Sequence, residues 1–310
     1  MSVLELKRNI RTVLSRLASL VFSWFSAVRR AVSCGSPTAP PGLPAGGEDI
    51  DAAEQTAALE RVLTECAQRH GEEHPDTIAA RNNLAGRYAA TGRRDIAVTE
   101  FERALSDAVR TLGEHHVLAE VVRENLAVCH EDADRFGDAA HHWQQLVAQR
   151  AARLGRHHPD TLLARARLAV ACRRAGRLRE AADHYRDVLQ HSAAFSAEDV
   201  EAWRLGLART LRRMGQDDEC RAQLRLVVAQ RRLRLGVRHP RTLAVHYQLG
   251  LSYARSGRPE EAVRVLREVY RHCLAAVGDP EVRRLALQVR RELAAAYRAA
   301  GRPQAVAALR

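Results

Sequence analysis

Lysine is almost missing from these 310 residues: Lys7 stands alone, and apart from histidine every other basic side chain is arginine. The formal charge of +12 therefore rests on guanidinium groups, which fork onto carboxylates and phosphates but do not serve as titrating bases. A GC-rich coding sequence produces the same bias, so charge alone does not assign a nucleic-acid or membrane partner. Aromatic residues are also scarce, at 5 % against 46 % apolar. Alanine and leucine must do the packing, which favours close helix pairs over a sheet. No C-x-x-C pair joins Cys34, Cys66, Cys129, Cys172, Cys220 and Cys273. They read as reduced, buried small hydrophobes, against a disulfide frame or zinc cage and for a cytoplasmic setting.

Catalytic signatures are missing too. Neither G-x-x-x-x-G-K-[ST] nor G-x-S-x-G occurs. His70-Gly-Glu-Glu-His74 has the H-x-x-E-H spacing of a zinc protease, yet it straddles a Gly–Pro loop that breaks the helix such a site needs. Asp132-Ala-Asp134 starts like a calcium loop but then supplies Phe136 and Trp143 where oxygen ligands belong. The chain is read as a non-enzyme with no cofactor and no metal.

What the sequence does contain is repetition. Leu168-Ala169 with a closing Gly176 returns as Leu84-Ala85 with Gly92, Leu126-Ala127 with Asp134, Leu207-Ala208 with Gly215, Leu249-Gly250 with Gly257, and Leu293-Ala294 with Gly301. The closing residues are 42, 42, 39, 42 and 44 apart. A period of this size with helical apolar spacing inside each unit marks a stacked array, because a lone helix pair buries too little to meet its ordering entropy. The expected fold is all-α: about six helix pairs over residues 52–310 in a right-handed superhelix, opened by a solitary helix near 52–70 that carries Leu59, Val62, Leu63 and Cys66 on one face. The fourth unit is three residues short and places Gly206 before its leucine, which predicts a change of curvature there. The sixth unit ends in a stub.

Two further segments precede the array. Residues 1–33 place Leu17, Leu20, Val21, Trp24, Phe25 and Val28 on one helical stripe beside six basic groups. The uncharged run Leu17 to Val28 is 12 residues, against the ~20 needed to cross a bilayer. An interfacial helix on an anionic membrane is one expectation. Packing against another helix is the alternative, with an organelle transit peptide behind both. Residues 34–51 hold four prolines and four glycines and form a linker.

The residues now quoted carry a resemblance. Leu84-Ala85-x-x-Tyr88 ending at Gly92, and Leu249-Gly250-x-x-Tyr253 ending at Gly257, are each followed by a second helix. There an alanine precedes an aromatic by four, as in Ala97 and Phe101, Ala139 and Trp143, or Ala181 and Tyr185. This pattern resembles the tetratricopeptide repeat. The 42-residue length, with Gly-x-x-His-Pro-Asp-Thr loops and Asn82-Asn83-Leu84-Ala85, resembles the longer variant of kinesin light chains and bacterial proteins.

The resemblance implies a protein-binding scaffold or adaptor whose ligand lies on the face lined by the first helices. Asparagine just before the signature leucine would grip a ligand backbone, and basic residues would clamp carboxylates. Residues five and one before the leucine, and two and six after it, share the face opposite the core at 100° per residue. This selects Asn83, Asn125, Arg167, Arg174, Arg209, Arg213, Gln248 and Arg255 as groove residues and an acidic peptide or protein segment as partner. Two readings stand beside it: nucleic-acid binding through arginine, weakened by the lack of regular aromatic stacking residues on that face, and regulation or self-assembly with the N-terminal helix as effector.

Overall fold

A computed structural model describes residues 48–276 and 278–309. The expected helix over 1–33, with its stripe residues Leu17, Leu20, Val21, Trp24, Phe25 and Val28, and the linker up to residue 47 lie outside the described residues. Among the described residues there is no strand, and no helix is long and apolar enough to cross a membrane.

The solitary helix is α1 (Glu48–His70). Pairs follow: α2 (Pro75–Ala90) with α3 (Arg94–Leu112), α4 (Val117–Asp132) with α5 (Phe136–Leu154), α6 (Pro159–Arg174) with α7 (Leu178–Gln190), α8 (Ala197–Arg213) with α9 (Asp217–Leu235), and α10 (Pro240–Arg255) with α11 (Pro259–Leu274). The last first helix, α12 (Pro280–Ala299), is followed by a 3-10 turn over Pro303–Leu309, the stub. Each helix packs on the next, and first helices also meet one another, α2 on α4, α6 on α8 and α10 on α12. The architecture is an all-α solenoid. In α1, Leu59, Leu63 and Cys66 are half-buried, but Val62, expected on the same face, is exposed.

The loops show why the repeat needs its particular residues. In Gly155-Arg-His-His-Pro-Asp-Thr161, the glycine holds φ at +101° and its carbonyl accepts the Thr161 hydroxyl at 2.9 Å. His158 is the N-cap of α6: its Nδ1 accepts the Asp160 backbone N–H at 3.2 Å, which requires the neutral ring with its hydrogen on Nε2. Pro159 then occupies the first helical turn, where its missing N–H costs nothing. Histidines 74, 116 and 239 cap α2, α4 and α10 in the same way. The cap thus belongs to histidine, while the threonine closes the loop. The first helices end in Schellman turns, as where Arg93 N donates to Tyr88 O at 2.9 Å. Asp134 replaces the closing glycine of the second unit and holds φ at +56°, the one non-glycine with positive φ among the described residues. Aspartate is one of the few side chains that tolerate this region.

Between the two helices of each unit, the signature leucines Leu84, Leu126, Leu168, Leu207, Leu249 and Leu293 are all buried. Facing them in the second helices is a row of small residues, Ala97, Ala139, Ala181, Cys220 and Ala262, with Phe101, Trp143, Tyr185, Leu224 and Leu266 one turn on. Cys220 thus fills an alanine's place. Cys129, Cys172, Cys220 and Cys273 are buried free thiols and Cys66 is half-buried. Burial pushes all five up, Cys129 and Cys273 to about 11, away from nucleophilic thiolate. Tyr253 and Tyr297 are buried as well, while Tyr88 is half-buried and donates its hydroxyl to Glu60 of α1 at 2.8 Å.

Charge is buried along with the leucines. Three residues before the leucine, Arg81, Arg123 and Arg165 are at most 8 % exposed; Arg204 and His246 take the same place in α8 and α10. Arg81 meets Glu72 at 2.5 Å, Asp107 at 2.8 Å and Glu100 at 3.6 Å; Arg123 meets Glu114 at 3.5 Å, and Arg165 contacts Asp187. Burial pushes Arg123 and Arg165 down and holds His246 well below the usual imidazole range. A second network recurs with the charges exchanged. Buried Glu120 of α4 accepts from Arg153 at 2.8 Å with Arg150 at 3.6 Å, and buried Glu201 of α8 accepts from Arg231 at 2.6 Å and Arg234 at 3.1 Å.

Candidate functional site

The face lined by α2, α4, α6, α8, α10 and α12 brings the sequence-selected residues along one surface, but their side chains are committed to different degrees. Asn125 of α4 is buried and donates Nδ2 to Asn82 Oδ1 at 2.8 Å. Asn82, not singled out from the sequence, is buried and in turn lies 3.4 Å from the Asn83 Oδ1. The result is a short amide ladder across the first two units, with half-buried Asn83 at its outer end.

Arg167 of α6 lies 3.5 Å from Glu131 of α4 and over the Trp143 ring, 5.6 Å from its centroid. Glu131 also accepts the Trp143 indole N–H at 2.7 Å. Its carboxyl is pushed up by burial, which Arg167 and the indole partly offset. Arg167 is therefore a counter-ion inside the wall of the groove, not a free grip. Arg174 sits over the Phe136 ring at 4.5 Å and 3.4 Å from Asp134. Arg213 donates to the Arg173 carbonyl at 2.8 Å, bracing α8 against α6.

Two of the selected arginines remain uncommitted. Arg209 and Arg255 are exposed, and no carboxylate lies within ion-pair distance of either among the described residues. Although the residue is exposed overall, desolvation of its guanidinium and then the neighbouring cations Arg173, Arg212 and Arg231 push Arg209 down, with Tyr185 opposing. Gln248 is half-buried. At Gly206 the chain has no room for a side chain: a Cβ would stand 2.5 Å from the ring of buried Tyr185. Tyr185 thus fills, from behind, the place where an outward residue would sit. The stretch from α6 to α10 is the cationic part of the face, and Arg209 and Arg255 are its open members.

Neither metal-like motif assembles. His70 and His74 stack at 4.6 Å, His74 is spent on its cap, and Glu73 pairs with Arg110 at 2.5 Å. Asp134 faces Arg174 across 3.4 Å. What the sequence reading missed is the buried row of Arg81, Arg123 and Arg165; its signal was recurrence at one position relative to the leucine.

Comparison with known proteins agrees with this geometry. A family model described as tetratricopeptide repeat matches residues 118–193 and 199–275, and a second of the same description matches 77–118. No curated sequence matches the chain. Among solved structures, a putative kinesin light chain from Podosopora anserina with nearly identical TPR-like repeats is similar at TM-score 0.55 and 27 % identity, over 64 % of this chain and 96 % of that one. BtubC (BKLC) from P. vanneervenii is similar at TM-score 0.53 and 17 % identity, over 74 % and 93 %. YrrB, described as a TPR protein with an unusual peptide-binding site, is similar at TM-score 0.50 and 14 % identity, over 74 % and 97 %. Helix pairs on a 42-residue period, matched unit after unit by the family model and built as a solenoid, make this chain a member of the tetratricopeptide repeat family, whose arrays are protein-interaction modules.

Proposed function

We propose that the chain is a non-catalytic adaptor that holds an acidic peptide or protein segment along the first-helix face from α6 to α10. The observation that carries this reading is the contrast among arginines: the buried ones and Arg167 already have carboxylates, whereas Arg209 and Arg255, exposed as residues, have none within ion-pair distance among the described residues. A planar fork without a counter-ion, beside further arginines, is a place for a carboxylate from outside. YrrB, the similar structure with a described peptide-binding site, supports the choice of a peptide.

A fluorescein-labelled peptide of alternating glutamate and alanine tests this by anisotropy. The double substitution Arg209→Ala with Arg255→Ala is expected to weaken binding about tenfold or more, since charge-assisted contacts contribute roughly 1.5–3 kcal/mol each. Arg209→Lys should recover only part of the loss, because the charge returns without the fork. A labelled single-stranded RNA serves as the competing probe. If it binds more tightly than the peptide and the double variant leaves its affinity intact, the nucleic-acid reading replaces this one.

The proposal includes attachment of residues 1–33 to an anionic membrane surface at the cytoplasmic side, supported by the apolar stripe beside six basic groups. The full chain is expected to float with phosphatidylserine vesicles and to lose that association as salt rises, while a chain lacking residues 1–33 stays in the dense fraction. Equal flotation of the two would remove this element.

A further inference from the structure

At the end of the third unit, His157, Asp187 and His191 come together outside the groove. One donor atom from each lies within 4.8 Å of the others. The imidazoles of His157 and His191 stack with centroids 3.8 Å apart, and Asp187 Oδ1 is 3.7 Å from His191 Nδ1. We propose that these three residues bind one divalent transition-metal ion of the zinc class, tying the loop before α6 to the end of α7.

The donor set decides the class of ion. Two imidazoles and one carboxylate suit zinc, nickel or copper, whereas calcium and magnesium demand an oxygen cage. Asp187, in the last turn of α7, and His191, the C-cap of that helix, stand four apart at the end where the helix dipole favours a cation. His191 Nδ1 lies 2.9 Å from the Asp187 carbonyl oxygen, which can only accept, so Nδ1 carries a hydrogen and Nε2 is the nitrogen left to face an ion. Such a backbone partner is the usual means by which a ligating histidine is fixed in its tautomer. His157 arrives from the other side on a rigid support, because the next residue, His158, caps α6 and Thr161 closes the loop onto Gly155. Its own ring is exposed, with one face stacked on His191. Two nitrogens on a tetrahedral zinc lie about 3.3 Å apart, given bonds of ~2.0–2.1 Å, and the stacked rings hold their in-plane lone pairs side by side, so taking up the ion requires the His157 ring to leave the stack and turn its lone pair toward Asp187 and His191.

The carboxylate is shared but not used up. Arg165 contacts Oδ2, while Oδ1 stands 3.8 Å from Arg156 and 3.7 Å from His191, beyond hydrogen-bond reach of both. Comparison with the first unit shows what is unusual. There the residue in the place of His157, two after the loop glycine, is Glu73, and it ties its loop to α3 by an ion pair with Arg110 at 2.5 Å. In the third unit, two bases face each other at the matching junction, with no charge attraction between them. Arg156 and Asp187, 3.8 Å apart, already link the loop to α7 at the edge of ion-pair range; a cation between the histidines would strengthen that link where α7 stops after 13 residues and the shortened fourth unit begins. Three protein donors leave a fourth position to solvent.

The test uses the full chain, untagged and freed of metal by chelator. Zinc titrated calorimetrically is expected to bind one ion per chain in the micromolar range, and cobalt(II) to give the intense visible absorption of a tetrahedral site. His157→Ala and His191→Ala should each weaken zinc at least tenfold, and zinc should raise the melting temperature of the wild type but not of His157→Ala. His141→Ala, an exposed histidine elsewhere, should change neither. Circular dichroism shows whether each variant is folded, and His157, exposed in its loop, is the variant on which the comparison rests. Zinc binding that is equally tight in His157→Ala and His191→Ala, or a wild type that takes up no zinc below 100 μM, roughly the weak limit for a specific site, overturns the proposal.

Discussion

Leu168→Asp is expected to lower stability by more than 4 kcal/mol, on the order set by losing a buried leucine and placing an unpaired charge in its stead. Leu168 is 2 % exposed on α6, in the middle of the array. The loss should not stay local. In a solenoid each unit leans on its neighbours, so unfolding the third pair strips the partners from α5 and α8, which pack on α6 and α7. Thermal melting followed by circular dichroism, with limited proteolysis to map the opened segment, reads both the size and the spread. Leu168→Met, nearly conservative in volume, should cost less than about 1.5 kcal/mol. An aspartate variant that melts with the wild type would show that Leu168 is not a core residue and that the repeat register is wrong.

The second large effect concerns a charge. Arg81→Ala is expected to cost about 3–5 kcal/mol, because it leaves carboxylates behind in a poorly solvated place. Arg81 is 3 % exposed, and of its three acidic partners Asp107 is 13 % and Glu100 24 % exposed. Arg110, 2.7 Å from Asp107, offsets part of the loss, so the lower end of the range applies. Arg81→Lys keeps the charge but cannot fork to Glu72 and Asp107 together, and should fall between the two. Chemical denaturation compares the three chains. If the alanine variant loses under 1 kcal/mol, the roughly zero-to-one range of a surface pair, the network is a solvated one and the buried reading of this arginine fails.

These two residues also mark how far the sequence could be read. Leu168 announces itself, since leucine, alanine and glycine recur at fixed offsets and an apolar period of 3.6 has one meaning in an array. Arg81 does not. In a chain where nearly every basic residue is arginine, one more looks like surface, and only its return as Arg123 and Arg165 at the same offset shows that the place is interior. The groove was legible as a face but not as a set of free hands. Rotation at 100° per residue puts Arg167 outward, yet its long stem lets the guanidinium turn back to Glu131 and Trp143, which belong to the preceding unit. Asn82 was overlooked for a related reason: it lies one residue from the selected position and is reached only because Asn125 of the next unit leans across. Such contacts join residues 40 or so apart, and no periodicity within one helix reports them.

The exchanged-charge network of Glu120 and Glu201 has a consequence for how this protein is built. Glu120 with Arg150 and Arg153 reappears as Glu201 with Arg231 and Arg234, each shifted by 81 residues, while α2, α6 and α10 carry Ile78, Leu162 and Leu243 at the corresponding place. At this one place the second and fourth units match and differ from the first, third and fifth, while the sixth carries Leu287. The two kinds of unit thus differ by a set of three side chains and not by one, because a leucine at position 120 or 201 would leave the paired arginines without their buried acceptor.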